Sequence, residues 1–246
     1  MIYVVGLGPG NRETMTYEAV EAIGRSDVIV GYKTYIDLVK DLIKGKEVVS
    51  NGMKQEVERV KKAVEISKSG KTVSVISSGD AGVYGMAGLV LELSGDEDVR
   101  IISGVTASTA AAAVLGAPLM HDFCHISLSD LLTPLDLIYK RVELAAEGDF
   151  VICIYNPRSK GRPEHLKNAF EIMKKYKSGS TPVGIVRNAE RENQEVRICT
   201  IDTIDYESVD MLSIVIVGNS STYIKNNKII TKRGYETKYQ QFGGKE

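Results

Sequence analysis

Histidine and cysteine are both scarce in this chain, three of each in 246 residues. Cys124, Cys153 and Cys199 are widely spaced and form no CxxC pair, so they offer neither a zinc-ligand pattern nor a disulfide framework. They read as reduced, buried thiols of an intracellular protein, and no metal site is expected. Excess charge is missing too. Lys and Arg number 31 against 32 Asp and Glu, a net charge of -1, which denies the protein the broad basic field of a nucleic-acid binder. No stretch approaches the ~20 apolar residues of a membrane span. The first apolar run, Ile2 to Val5, is short and ends in a glycine loop, so it reads as a strand and not as a signal peptide. The expectation is a cytoplasmic protein without membrane or nucleic-acid partners. No internal repeat is visible.

What remains is ordinary globular composition, 43% hydrophobic and 26% charged. The length allows two small domains, which would bury roughly 70% of the unfolded surface without a metal or disulfide staple. The first half alternates strand and helix patterns. Apolar runs at Ile2–Val5, Asp27–Val30, Glu47–Val49, Thr72–Ile76 and Val99–Ile102 are separated by helical stretches at Thr16–Arg25, Tyr32–Ile43 and Gln55–Lys68, by one that follows the loop Ser77–Gly82 and runs through Leu93, and by Ala107–Leu115. Fully apolar strands divided by helices predict a mainly parallel sheet covered on both faces. Gly116-Ala117-Pro118 breaks the pattern and is the candidate linker. A second α/β unit restarts at His125–Leu128, with helices at Pro134–Glu147 and Glu164–Tyr176 and strands at Phe150–Ile154, Val183–Val186, Glu195–Ile201 and Ser213–Val217. The last two strands are close enough to suggest antiparallel pairing with each other, so this sheet should be mixed. The expected domains are 1–117 and 118–236, with 237–246 a disordered tail.

Three small-residue loops follow strands of the first domain. Gly6-Leu7-Gly8-Pro9-Gly10 resembles a dinucleotide fingerprint but fails in its details. Asn11 occupies the third glycine position, and Pro9 removes a backbone donor. Asp27 opens the second strand instead of closing it, where a ribose-binding carboxylate would sit. A nicotinamide-dependent oxidoreductase is therefore the weaker alternative. The second loop, Ser77 to Gly85, carries Asp80, which could bind ribose hydroxyls or cap the following helix. The third, Ser103 to Ser108, carries Thr106, either a ligand contact or the N-cap of an alanine-rich helix. Ligands of open α/β sheets gather at the carboxyl ends of strands, so the three loops should converge on one rim.

The order GLGPG, SGDAGVYG and GVTAS resembles the tetrapyrrole methylase family, and the resemblance runs from Ile2 to about Val217. Within that family the chain is most similar to methyltransferases acting at carbon 17 at the precorrin-3B or cobalt-factor III stage of cobalamin biosynthesis. The segments GYKTY at Gly31, SSGDAGVYGMAG at Ser77, HDF at His121, SLSDLLTP at Ser127, YNPRS at Tyr155 and TPVGIVRNA at Thr181 carry that likeness. Ser103 and Asn51 are small departures from it. The resemblance implies two α/β domains, S-adenosylmethionine (SAM) in the cleft between them, a homodimer, and a small-molecule tetrapyrrole substrate with or without cobalt. It implies methylation of the ring carbon with contraction of the macrocycle. Other ring positions, or a diphthamide-type protein substrate, are alternatives within the family; a SAM-binding regulatory module lies outside it. By resemblance, the SAM contacts are Pro9, Gly79, Asp80, Val83, Thr106, Ala107, Asn156 and Ala189.

The sulfonium of SAM is already activated, which accounts for the missing nucleophile triad; alignment and water exclusion are the enzyme's main tasks. The carboxylate arms of a tetrapyrrole call for cations, and Lys33, Lys54, Arg158, Arg162, Arg187 and Arg191 lie in or beside the loops. Ring contraction needs proton movement. His121, Asp122, His125 and Asp130 cluster in sequence, and His125, Asp130 and Asp122 are the catalytic candidates, with Ser127 and Ser129 able to hydrogen-bond the ring.

Overall fold

The computed structural model describes residues 1–52 and 55–238. Lys54 and residues 239–246, most of the expected tail, lie outside the described residues. The chain divides into two compact units, Met1–Ala110 and Ala111–Glu246.

In the first unit five strands form one parallel sheet: β1 (Ile2–Gly6), β2 (Val28–Tyr32), β3 (Glu47–Asn51), β4 (Val73–Ser77) and β5 (Val99–Ile102), in the order β3-β2-β4-β1-β5. The crossovers are α1 (Tyr17–Arg25), α2 (Lys33–Leu38), α3 (Glu56–Lys68) and α4 (Ala87–Leu93). Side-chain alternation sends Val4, Val28, Val30 and Val75 into a core with α3 and α4. Val5, Ile29 and Ile76 face the other way, into a core with α1. Burial on both faces is why the central strands are apolar at nearly every position. Each fully buried Val or Ile contributes about 1.5–3 kcal/mol. α2 stops at Leu38, short of the expected Ile43. α4 starts only at Ala87, leaving a long loop after β4.

The chain enters the second unit through α5 (Ala107–Leu115). Gly116–Ala117 lies inside that unit as strand β6. The main sheet there has the order β10-β9-β11-β8-β7, built from β7 (Phe123–Ser127), β8 (Val151–Tyr155), β9 (Pro182–Arg187), β10 (Glu195–Thr200) and β11 (Ser213–Val217). β7 and β8 are parallel and the other pairings are antiparallel, so the sheet is mixed as expected. β10 and β11 do not pair with each other, contrary to the sequence expectation. Each binds an opposite edge of β9, because the loop 188–194 returns β10 directly onto β9 while the longer 201–212 connection carries β11 past it. Helices α6 (Leu135–Glu147) and α7 (His165–Met173) cover one face around Phe170, Leu166, Ile138 and Val142. Near Gly184 on the sheet lie Leu115 and Ile229: a Cβ at Gly184 would stand 2.4 Å from Leu115 Cδ1 and 2.9 Å from Ile229 Cδ1.

Ile229 belongs to a feature absent from the sequence reading. Strands β12 (Thr222–Lys225) and β13 (Lys228–Thr231) form a hairpin that pairs with β6. Its two-residue turn is Asn226-Asn227, both at positive φ, the geometry that suits the twist of a hairpin. A short helix, α8 (Tyr235–Lys238), follows. Among the described residues no helix is long and apolar enough to cross a membrane.

Candidate active site

In the first unit the three glycine loops all leave the carboxyl edge of the parallel sheet, and they are stitched together. Gly8 and Gly79 exchange backbone hydrogen bonds of 3.0 and 2.8 Å, and Leu7 N–H donates to Ser77 O at 2.9 Å. A Cβ on Gly6 would meet Gly79 O at 2.8 Å and Gly104 N at 2.9 Å; one on Gly104 would meet Gly79 O at 2.3 Å. These two glycines are needed because three main chains cross at contact distance. Asp80 completes the stitching. Its Oδ1 accepts from the N–H groups of Gly82 (2.8 Å) and Val83 (3.1 Å), and its Oδ2 accepts from Gly104 N–H at 2.9 Å. Pro9 and Gly79 are buried, while Val83, Thr106 and Ala107 are partly exposed on the same edge. Ser77, the last residue of β4, has a buried hydroxyl with no hydrogen-bond partner.

The loop after β1 is not a phosphate cradle. It enters a 3-10 turn at Arg12–Thr14, capped by Asn11, whose Oδ1 accepts from Thr14 N–H at 2.8 Å. α1 begins only at Tyr17, capped by Thr16, whose Oγ1 accepts from Ala19 N–H at 3.1 Å. Asp27 sits at the opposite edge of the sheet and accepts from Thr72 N–H at 2.8 Å. Asn11 and Asp27, which weakened the dinucleotide reading, thus have structural roles of their own.

In the second unit the carboxyl ends of β7, β8 and β9 share an edge of the mixed sheet, because β8 and β9 both run antiparallel to β11. Asn156 and Asn188 follow β8 and β9 with φ of 50° and 51°, turning the chain sharply at each strand end. Asn156 Nδ2 donates to Ser127 Oγ at 2.9 Å, which also accepts from Ser129 N–H. Ala189 is buried just beyond Asn188.

The catalytic candidates do not form one cluster. Asp122 precedes β7 and Asp130 lies beyond its far end, and five strand residues at about 3.3 Å each separate them. The carboxylate of Asp122 is 3.7 Å from His121 Nδ1, and both side chains are exposed. His125 lies mid-strand between the rings of Phe123 and Tyr155, at centroid distances of 5.7 and 5.3 Å. Burial lowers its pKa, so the imidazole is neutral at neutral pH. Asp130 is partnered by a residue the sequence reading passed over, His165, at 3.2 Å, with Arg162 Nε at 3.8 Å. The His165 hydrogen bond, with the charge of Arg162 adding to it, holds the Asp130 carboxyl below the usual range. His165 is 35 residues away in sequence, and no spacing rule connects the two.

Several candidate cations are spent internally. Arg187 bridges Asp210 at 2.8 Å and Glu195 at 3.1 Å. Arg158 pairs with Glu207, and Arg162 Nη1 donates to Leu128 O at 2.9 Å. Lys33, at the start of α2, is exposed, with no ion pair to any described residue. Of the three thiols only Cys153 is fully buried; Cys124 and Cys199 are half-buried, and burial pushes them up to about 11 and Cys153 to about 12, which keeps all three protonated at neutral pH. No group of three or more His, Cys, Asp or Glu among the described residues is arranged to hold a metal.

Small-residue loops at the carboxyl edge of a parallel sheet, followed by a second unit with a mixed sheet, define a two-unit α/β protein whose first sheet carries its candidate ligand rim where such folds bind ligands. The family model of the tetrapyrrole (corrin/porphyrin) methylases matches residues 1–205, and the chain belongs to that family. It is 54% identical over 239 residues to a probable cobalt-factor III C(17)-methyltransferase of Salmonella typhimurium, covering 96% of this chain and 99% of that one. A precorrin-3B C(17)-methyltransferase of a Sinorhizobium species is 39% identical, with 91% and 90% of the two chains covered. The crystal structure of the methyltransferase CobJ superposes with a TM-score of 0.90 at 34% identity, covering 94% of this chain and 99% of that one.

Proposed function

We propose that this methyltransferase transfers the methyl group of SAM to carbon 17 of cobalt-factor III or precorrin-3B, with contraction of the macrocycle, in cobalamin biosynthesis. The observation that carries the reading is the 54% identity, over essentially both full lengths, to a relative described with that activity. The reading extends, on family resemblance, to a homodimer working in the cytoplasm.

The residues present fit SAM. Asp80 uses three of the roughly four lone-pair positions of a carboxylate, which leaves one for a ligand hydroxyl. The Ser77 hydroxyl is an orphan of the kind that a bound polar group or water satisfies. We assign the cofactor contacts to Pro9, Gly79, Asp80, Val83, Thr106 and Ala107 of the first unit and to Asn156 and Ala189 of the second. When bound, SAM supplies an activated methyl on a cationic sulfonium. The protein's part is to hold the acceptor carbon in line and keep water out. His125, neutral in its aromatic setting, and Asp130, ionised beside His165, are both proton acceptors at neutral pH, with Asp122 in a supporting role.

The test is calorimetric titration with S-adenosylhomocysteine, followed by transfer of labelled methyl from SAM to cobalt-factor III and to precorrin-3B. Tight binding without transfer to either acceptor would instead favour a SAM-sensing module.

A further inference from the structure

The loop from Asp130 to Pro134 is fixed at both ends. At its start the carboxylate of Asp130 is held by His165 (3.2 Å) and Arg162 (3.8 Å), and Arg162 also binds Leu128 O. At its end Pro134 O accepts from Ile138 N–H at 3.1 Å, joining the loop to α6. Between these anchors Leu132 is 98% exposed and Leu131 66% exposed. Isolated surface leucines need no explanation, but two adjacent ones on a loop pinned at both ends are held away from the core. Carboxylates stand near the loop too, Asp136 at the start of α6 and Glu164 before α7, both exposed. Arg162 offsets Asp130 and also bonds Ser159 Oγ at 3.3 Å and Leu128 O, which ties this loop to the loop after β8; Lys160 of that loop is exposed and pairs with no described residue. An exposed apolar tip, with an unpaired cation on the adjoining loop, complements a flat apolar macrocycle edged with carboxylates.

Resting on the function proposed above, we infer that Leu131 and Leu132 are substrate-gripping residues, which take the apolar face of the tetrapyrrole while Lys160 meets one of its carboxylate arms. The Asp130–His165–Arg162 latch presets the loop, so less ordering entropy is lost when the substrate binds.

The experiment compares the full-length wild type with Leu131→Ala, Leu132→Ala, the double variant and Lys160→Ala. Melting temperature, SAM affinity, oligomeric state, and KM and kcat for cobalt-factor III and precorrin-3B are measured for each. Exposed side chains contribute little to the fold, so melting temperature and SAM affinity should be unchanged. KM should rise roughly 10-fold or more for each leucine removed, the scale of a lost apolar contact in a binding pocket, with kcat affected less. Lys160→Ala should raise KM and flatten its dependence on salt. Unchanged KM in the double variant overturns the inference. So does a shift to a smaller oligomer with KM preserved, which would give the leucines to a second copy of the chain. If the wild type turns over neither acceptor, the functional reading itself fails; if it turns over either and the variants match it, only this inference fails.

Discussion

The carboxylate of Asp80 spans two loops: its Oδ2 accepts from the Gly104 N–H at 2.9 Å while its Oδ1 caps Gly82 and Val83. It is therefore a fastener of the cofactor rim as well as a candidate ligand contact. Asp80→Ala removes the acceptor for three N–H groups and should cost about 1–3 kcal/mol of stability, together with a clear loss of SAM affinity. Urea unfolding and calorimetric titration of the same variant check this; full stability with only SAM binding lost would leave Asp80 a pure ligand contact.

Gly104→Ala should be worse. Its Cβ would stand 2.3 Å from the Gly79 carbonyl oxygen, a backbone atom that cannot rotate away. The loops must separate, so the variant should melt several degrees lower and lose SAM binding. A wild-type melting temperature would show that the three main chains do not cross at contact distance.

Cofactor choice follows from the loop after β1, where Asn11 serves a 3-10 turn and α1 starts six residues later at Tyr17. SAM or S-adenosylhomocysteine at about 100 times its dissociation constant should add roughly 2.7 kcal/mol to stability, and NAD should add nothing. A melting shift with NAD equal to that with SAM would contradict the assignment.

The pH dependence has a defined sign. Burial holds His125 below its ordinary value of 6.5 in the folded state, so the unfolded chain takes up that proton first as pH falls. Stability should decline as pH drops through 6.5 towards the lower folded value. His125→Gln should flatten that segment of the curve. For Asp130 the His165 hydrogen bond lowers the pKa. For Asp210, burial raises it but bonds from Arg187 and Ser213 outweigh that. Both folded values lie below 3.8, so their stabilisation is present above that value and is lost only at lower pH. Equilibrium denaturation across pH, wild type against His125→Gln, separates the two windows.

Much of the fold was legible because its signals are local. Runs such as Ile2–Val5 and Val28–Val30 are apolar at successive positions, which only a strand covered on both faces requires. The three glycine loops were legible for the same reason, since each follows such a run. Long-range partnerships were not. Nothing in the spacing says that β10 and β11 flank β9, that His165 finds Asp130, or that Asp80 reaches Gly104. The Asn226-Asn227 turn was readable in principle, but its strands, Thr222–Lys225 and Lys228–Thr231, are too short and polar to announce themselves. His121, Asp122, His125 and Asp130 looked like a cluster because they are neighbours in sequence; a strand separates its ends instead of gathering them.

The position of the transferred methyl is read by incubating the purified protein with SAM carrying a labelled methyl and cobalt-factor III, then locating the label by NMR. A C(17)-methyltransferase adds one methyl per macrocycle, attached at carbon 17, with S-adenosylhomocysteine formed in equal amount. Label at another ring carbon, or no transfer to cobalt-factor III or precorrin-3B by a protein that binds SAM, would contradict it.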